Sequence, residues 1–166
     1  SSFPTPTGEK VAIRVLDPTV GLKTLDELGL VGRNLTVVKR AIEKPFGMVL
    51  LSGPTGSGKT TTLYALMQLL NKDDSNIVTL EESIEHLLDG CRQMRISTND
   101  GLGFAEGFQA ALQQDADVIM VSHVGDEETA RLAVSAALDG KFVLLGIPAH
   151  DAAAAIVRML DLAVKP

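Results

Sequence analysis

One short segment of this chain carries residues whose types and spacing suit the binding of phosphate groups. Residues 53–60 read Gly-Pro-Thr-Gly-Ser-Gly-Lys-Thr and satisfy the pattern GxxxxGK[ST]. Glycines let backbone N–H groups approach phosphate oxygens, a helix N-terminus adds positive potential, and lysine and threonine supply a cation and a hydroxyl for Mg²⁺. We therefore predict a nucleotide site, with Thr60 as the metal contact. Its predicted binding residues are Gly53, Pro54, Thr55, Gly56, Ser57, Gly58, Lys59, Thr60 and Thr61.

The elements predicted around this segment provide the setting that such a loop requires. Residues 47–52 form an apolar strand directly before it, and residues 59–71 carry apolar side chains at helical spacing directly after it. The alternation continues with strands predicted at 77–80, 92–96, 118–121 and 142–147 and helices at 34–44, 104–114, 127–138 and 152–162. This order predicts an α/β fold, a mostly parallel sheet with helices on both faces, whose ligands bind at the carboxyl ends of the strands.

Three features outside these elements are also predicted. Residues 10–16 alternate in a way that suits a further strand, and residues 24–27 suit a short capped turn. Asp126 is predicted to cap the helix at 127–138. Residues 1–6 have no signal-peptide pattern and are expected to be an exposed tail, or a cut made inside a longer protein.

The composition limits the classes of partner. The chain has 166 residues, a formal net charge of −6 and a pI near 5.0, which argues against a dedicated nucleic-acid or anionic-membrane surface. Its longest apolar runs, residues 46–51 and 142–147, fall far short of the roughly 18 residues that a membrane span needs. A single cysteine, Cys91, excludes an internal disulfide. We therefore expect a cytoplasmic protein with no nucleic-acid partner and no direct membrane insertion.

Several segments resemble the secretion ATPases that drive type II secretion and type IV pilus assembly and retraction. Residues 44–65 are similar to that family's Walker A region, residues 77–86 to its acidic Asp box and residues 114–121 to its Walker B strand. Residues 126–130 and 140–144 continue the likeness toward the His box, and residues 8–17 are similar to the last strand of the N-terminal subdomain. The resemblance implies a RecA-like P-loop NTPase fold, with ATP or ADP and Mg²⁺ as cofactors.

The resemblance also implies a domain division and partners. Residues 1–30 correspond to a remnant of the N-terminal subdomain with its connecting segment, and residues 31–166 to the ATPase core without the C-terminal subdomain. Members of the family act at the cytoplasmic face of the inner membrane with other subunits of a secretion or pilus motor. They are hexamers whose sites are completed by arginines of the neighbouring subunit. Only Arg14 belongs to the edge of that subdomain here, so we do not expect this chain alone to form a hexamer.

Two acidic residues of the Asp box are candidate catalytic groups. By resemblance, Glu81 falls on the glutamate proposed to polarise the attacking water, and its place after a strand near the phosphate loop suits a general base. Glu85 falls on the second acidic position of the box. The alternative is that both carboxylates belong to a solvated acidic loop.

The departures from the family gather at its catalytic positions. His123 stands where a Walker B glutamate holds the water shell of Mg²⁺, and imidazole replaces carboxylate oxygen poorly at a hard cation. Pro148 stands where the His box has the histidine that senses the γ-phosphate. Further departures are Glu82-Ser83 for Asp-Pro, Gly125, Gln109 and Gln113 for arginines, and His150, two places late. Losing one preorganised polar group costs about 10²–10³ in rate, so we predict retained ATP binding and weak or absent hydrolysis.

Four functions stay open at this point. The chain is an active motor ATPase, a regulatory or structural subunit that binds ATP without turnover, a deliberately altered single domain of such an ATPase, or a small-molecule kinase. The kinase is the weakest of these, because nothing resembles a lid or an acceptor pocket. His86, His123 and His150 fit no metal-ligand spacing and are expected at the surface or at the edge of a pocket.

Overall fold

The computed structural model of this chain describes residues 2–13, 22–72, 74–97 and 101–162. The strands within these ranges are β1 (Ser2–Thr5), β2 (Gly8–Val11), β3 (Gly47–Ser52), β4 (Ile77–Glu81), β5 (Cys91–Arg95), β6 (Val118–Val121) and β7 (Phe142–Ile147). The helices are α1 (Gly32–Ile42), α2 (Lys59–Leu70), α3 (Phe104–Gln113), α4 (Glu127–Leu138) and α5 (Ala152–Asp161).

The main sheet consists of five parallel strands in the order β3-β7-β6-β4-β5. Helices α1 and α2 pack on one face, and α3, α4 and α5 pack on the other. Strands β4, β6 and β7 are therefore buried along their whole length, which explains why they are nearly continuous apolar runs. Because all five strands are parallel, their carboxyl ends lie along one edge of the sheet, beside the loop that joins β3 to α2.

The predicted α/β fold is confirmed. The strands predicted at 47–52, 118–121 and 142–147 and the helix at 127–138 match β3, β6, β7 and α4, and the other elements after residue 31 differ by at most two residues at either end. The predicted cap is also present, since the Asp126 carboxylate accepts a hydrogen bond from the Thr129 N–H at 2.8 Å. In the predicted turn at 24–27, Glu27 Oε2 accepts from the Thr24 N–H at 2.7 Å.

The first residues form a strand in which Ser2 and Pro4 are exposed, so the expected exposure is present but the segment is not a tail. β1 pairs antiparallel with β2, with Ser2 opposite Val11 and Thr5 opposite Gly8. The Thr5 hydroxyl donates to the Gly8 carbonyl at 2.6 Å and closes the turn. Proline at positions 4 and 6 argues against a strand in the sequence, because proline is unfavourable in the interior of a sheet. An edge strand tolerates it. The strand predicted at 10–16 begins earlier, at Gly8, and β2 ends at Val11, while residues 14–16, including Arg14, lie outside the described residues.

Gly146 lets the end of β7 approach the end of β6 closely. A Cβ atom at position 146 would lie 2.2 Å from the Ser122 carbonyl oxygen. The Val124 N–H donates to the Gly146 carbonyl at 2.9 Å and ties the segment after β6 to β7. Gly146 therefore helps to place Ser122 and His123 at the carboxyl edge of the sheet.

Gly146→Ala is expected to lower the free energy of unfolding by about 1–3 kcal/mol, because the added methyl group must displace backbone and not a flexible side chain. Urea denaturation followed by circular dichroism measures the change. Gly125→Ala is the matched control, since a Cβ there meets the far end of the His123 side chain, 3.0 Å from Nε2, which can move. Equal stability of Gly146→Ala and the wild type would contradict the close approach.

Candidate functional site

The loop between β3 and α2 is shaped by glycine. Gly58 is the N-cap of α2 and has a φ of 90°, in the left-handed region that favours glycine. A Cβ atom on Gly53 would lie 2.4 Å from Ser57 Oγ, so Ser57 packs too closely against Gly53 to leave room for a side chain there. The first N–H groups of α2, which have no partner within the helix, therefore lie near the carboxyl end of β3.

Lys59 lies across this loop. Its Nζ donates to the Gly53 carbonyl at 2.7 Å and to the Pro54 carbonyl at 2.9 Å. An ammonium group has three N–H donors, so Lys59 can hold both carbonyls and still donate to a ligand oxygen. The structure therefore places a cation beside the N-terminus of α2, where the helix dipole also favours an anion.

A cleft of about 440 Å³ opens in front of the loop, within the usual volume range of small-molecule sites. One part of its wall consists of the predicted residues Thr55, Gly56, Gly58, Lys59, Thr60 and Thr61. The other part follows β4 and β6 and consists of Glu82, Ser83, Glu85, Ser122 and His123. The remaining predicted loop residues are not among the lining residues: Gly53 is buried, and Pro54 and Ser57 are exposed.

Glu81 does not line this cleft. Its side chain is fully buried and accepts hydrogen bonds from the Tyr64 hydroxyl, the Thr79 hydroxyl and, at 3.1 Å, Gln93 Nε2. The alternation of β4 explains this orientation, because Ile77 packs with α2 while Val78 and Leu80 pack with the helices of the other face. Of the two predicted carboxylates, the structure brings only Glu85 to the cleft, where it is half-buried.

Tyr64 connects Glu81 to the segment that carries Glu85. Its hydroxyl donates to Glu81 and accepts a hydrogen bond from the Glu85 N–H at 3.2 Å. Burial raises the pKa of Tyr64, and the hydrogen bond to Glu81 raises it further, so the phenol stays protonated and able to donate at neutral pH. Burial also raises the pKa of the Cys91 thiol, with the Glu81 charge as a second cause, and this argues against a reactive thiolate.

The three histidines occupy separate places. His123 follows β6 and lines the cleft, His86 meets the Tyr64 ring edge-on with ring centres 5.8 Å apart, and His150 is exposed. Within the described ranges, no group of three or more His, Cys, Asp or Glu side chains is arranged to hold a metal ion. Pro148 is exposed beyond the end of β7.

Two other departures noted in the sequence, Gln109 and Gln113, lie on α3, which packs on the face of the sheet opposite α2. Gln109 of α3 donates to Glu128 of α4 at 3.2 Å, and Gln113 is exposed near the end of α3. Neither side chain is among those that line the cleft.

The site list predicted from the sequence omitted several residues that the structure brings to the site. Glu82, Ser83, Ser122 and His123 line the cleft, and all follow β4 or β6 at the carboxyl edge of the sheet. Their position directly after predicted strands could have identified them as site residues, because ligands of parallel sheets bind at the carboxyl ends of the strands. Tyr64 was missed as well, although it is a hydroxyl-bearing residue four positions after Thr60, one helical turn further along α2.

No helix in the described part of the chain is long and apolar enough to cross a membrane. The longest helices, α2 and α4, have 12 residues each, well short of the roughly 20 residues that a span requires.

Comparison with known proteins places this chain in a family. The family model described as "Type II/IV secretion system protein" matches residues 1–166. The chain is 42% identical over 166 residues to type II secretion system protein E of Pseudomonas aeruginosa and 42% identical over 166 residues to the type IV pilus assembly ATPase PilB of Myxococcus xanthus. All of this chain is covered in both matches, but it spans only 33% and 29% of those relatives.

A solved structure shows the same fold. The crystal structure of the pilus retraction motor PilT with bound ADP has a TM-score of 0.83 and 29% sequence identity, covering 99% of this chain and 47% of that chain. The family model thus matches the whole sequence, and the pilus retraction motor of known structure shares the fold. The chain belongs to the family of type II/IV secretion system proteins.

Proposed function

We propose that this chain is the ATP- and ADP-binding core of a secretion or type IV pilus ATPase, with weak or absent hydrolysis. The observation that carries the proposal is the loop between β3 and α2, which directs Lys59 and Thr60 into one cleft with the N-terminus of a helix. Relatives are named as a type II secretion protein and a pilus assembly ATPase, and the PilT structure has bound ADP.

The loop residues account for phosphate binding without conformational change in the sheet. Backbone N–H groups at the start of α2 donate to phosphate oxygens, and Lys59 adds a charge-assisted bond from the same side. These interactions depend on backbone geometry and one cation. Changes outside this loop, such as His123, therefore leave the main phosphate contacts in place.

The cleft also has a donor set that fits Mg²⁺. Thr60 offers a hydroxyl, and Glu82 and Glu85 bring carboxylates to the same cleft, all oxygen ligands of the kind that a hard cation prefers. We assign the metal contact to Thr60, with these carboxylates in the same cleft. When bound, the metal would neutralise phosphate charge.

Glu85 is a better candidate than Glu81 for the group that orients a water molecule. Both oxygens of Glu81 already accept hydrogen bonds from buried donors, so Glu81 is a structural carboxylate in this arrangement. Glu85 lines the cleft, whereas the segment after β6 contributes Ser122 and His123 and no acid. One missing polar group of this kind costs about 10²–10³ in rate, which supports the proposed weak turnover.

Calorimetric titration with Mg–ATP and Mg–ADP, combined with a phosphate-release assay, tests the proposal. We expect saturable binding of one nucleotide per chain. Turnover is expected to be at least about a hundredfold below that of an active family member assayed in parallel. Absence of binding would refute the nucleotide site, and turnover equal to the active relative would refute the impaired hydrolysis.

A second candidate is an active motor ATPase, and the two carboxylates Glu82 and Glu85 in the cleft favour it. The phosphate-release assay separates the two candidates, because only the active motor would turn over at the rate of its relatives. In either case we propose a cytoplasmic site of action and other subunits of a secretion or pilus system as partners.

A further inference from the structure

The segment between β4 and β5, residues 82–90, is anchored at several points. We call it the acidic loop, since it carries Glu82, Glu85 and Asp89. The Gln93 side chain accepts from the Leu88 N–H at 2.7 Å and donates to the His86 carbonyl at 2.9 Å. These bonds hold the far part of the loop against β5.

The part of the acidic loop nearest the cleft is held differently, by Tyr64. The Glu85 N–H donates to the Tyr64 hydroxyl at 3.2 Å, and that hydroxyl donates in turn to Glu81. Thr79 and Gln93 donate to the other Glu81 oxygen, so the buried carboxylate is saturated by protein donors. Within the described ranges no buried side-chain nitrogen or oxygen lacks a partner, which is the condition for such a network to be rigid.

Tyr64 also belongs to the helix that begins at the phosphate loop. It follows Thr60 by four residues, so its ring lies one turn along α2 on the same side of the helix. A single side chain therefore joins the element that would carry the phosphates to the loop that carries the cleft carboxylates.

The charges in the cleft explain why the acidic loop needs an anchor such as Tyr64. Glu82 and Glu85 line the same cleft as the phosphate loop, and a nucleotide placed there brings several negative charges close to them. Repulsion would drive a loosely held acidic loop out of the cleft. The tether through Tyr64 opposes that movement.

We propose that Tyr64 is a positioning residue, which holds the Glu85 backbone through the buried Glu81 and so keeps the acidic loop at the cleft when nucleotide binds. The inference rests on the proposed nucleotide site and adds to it a specific connection between the two parts of the cleft wall. Without the hydrogen bond from the Glu85 N–H to Tyr64, the acidic loop moves its carboxylates out of the cleft more readily. Mg–nucleotide binding then suffers more than the binding of nucleotide alone, because the metal is the ligand that the carboxylates would face.

Hydrogen–deuterium exchange in the nucleotide-free protein tests the tether directly. In Tyr64→Phe, the Glu85 amide loses its acceptor and is expected to exchange at least about tenfold faster than in the wild type. Ser135→Ala, which removes an exposed hydroxyl on α4, is the control and should leave that amide unchanged. Unchanged exchange at Glu85 in Tyr64→Phe would overturn the inference even if the protein binds nucleotide normally.

Nucleotide affinity provides the second readout. The ratio of the affinities for Mg–ADP and for ADP with chelator is expected to fall about fivefold or more in Tyr64→Phe. A purely structural role would weaken both affinities equally, and that result would overturn the coupling. If the wild type binds no nucleotide, the proposed function fails, while faster exchange at Glu85 would still support the tether.

If Tyr64→Phe fails to fold, Glu81→Gln is the alternative variant for the exchange measurement. It keeps the size of the side chain but replaces one acceptor oxygen with an NH₂ donor, in a place where three donors already converge. We expect the Glu85 amide to exchange faster in Glu81→Gln than in the wild type. Exchange identical to the wild type would overturn the inference.

Discussion

Replacing Lys59 with alanine is expected to reduce the affinity for Mg–ATP by roughly a hundredfold, since hydrogen bonds to charged groups contribute about 1.5–3 kcal/mol each. Among the described residues that line the cleft, Lys59 is the only lysine or arginine. Removing it leaves the phosphate oxygens to the backbone N–H groups and the Mg²⁺ of the nucleotide complex. It also removes the two bonds that Nζ makes to the Gly53 and Pro54 carbonyls, which hold the loop closed.

Calorimetric titration measures this loss, and Lys72→Ala is the matched control. Lys72 is an exposed lysine just beyond the end of α2, so its removal changes the net charge equally and leaves the cleft untouched. Far-ultraviolet circular dichroism and thermal unfolding show whether Lys59→Ala retains its fold. Wild-type affinity in a folded Lys59→Ala protein would mean that nucleotide does not bind at this loop.

The conformation of the loop between β3 and α2 could be predicted from the sequence because its determinants are local. The apolar strand, the glycines, Lys59 and the following helix are contiguous, and their geometry depends little on distant parts of the chain. The structure matches the predicted start of α2 at Lys59, and it places Gly58 in the left-handed conformation that only glycine adopts readily.

The position of Glu81 could not be predicted in the same way. Alternation along β4 sets the face on which Glu81 lies, but its hydrogen bonds come from distant residues such as Tyr64 and Gln93, which lie 17 positions before it and 12 positions after it. The sequence marks Glu81 as acidic and close to the phosphate loop, which is equally compatible with a catalytic base. Only the burial of its side chain among three donors distinguishes the two roles.

Replacing His123 with glutamate is expected to raise the rate of ATP hydrolysis about 10²-fold, the gain associated with one preorganised polar group. His123 follows β6 closely and lines the same cleft as Thr60. A carboxylate there would add an oxygen ligand beside those of Glu82 and Glu85, where imidazole offers only nitrogen to a hard cation. The change also adds negative charge, so a moderate loss of nucleotide affinity should accompany the gain in rate.

Phosphate release under saturating Mg–ATP measures this effect, with His150→Glu as the control. His150 is exposed beyond β7 and does not line the cleft, so glutamate there should leave turnover unchanged. Adding Lys59→Ala to His123→Glu should return turnover to background, which assigns the gained activity to this cleft. If His123→Glu binds nucleotide but gains no turnover, the defect lies elsewhere, and Pro148 in place of the family's histidine is the next position to restore. Wild-type turnover already equal to an active relative would instead show that His123 supports hydrolysis as it stands.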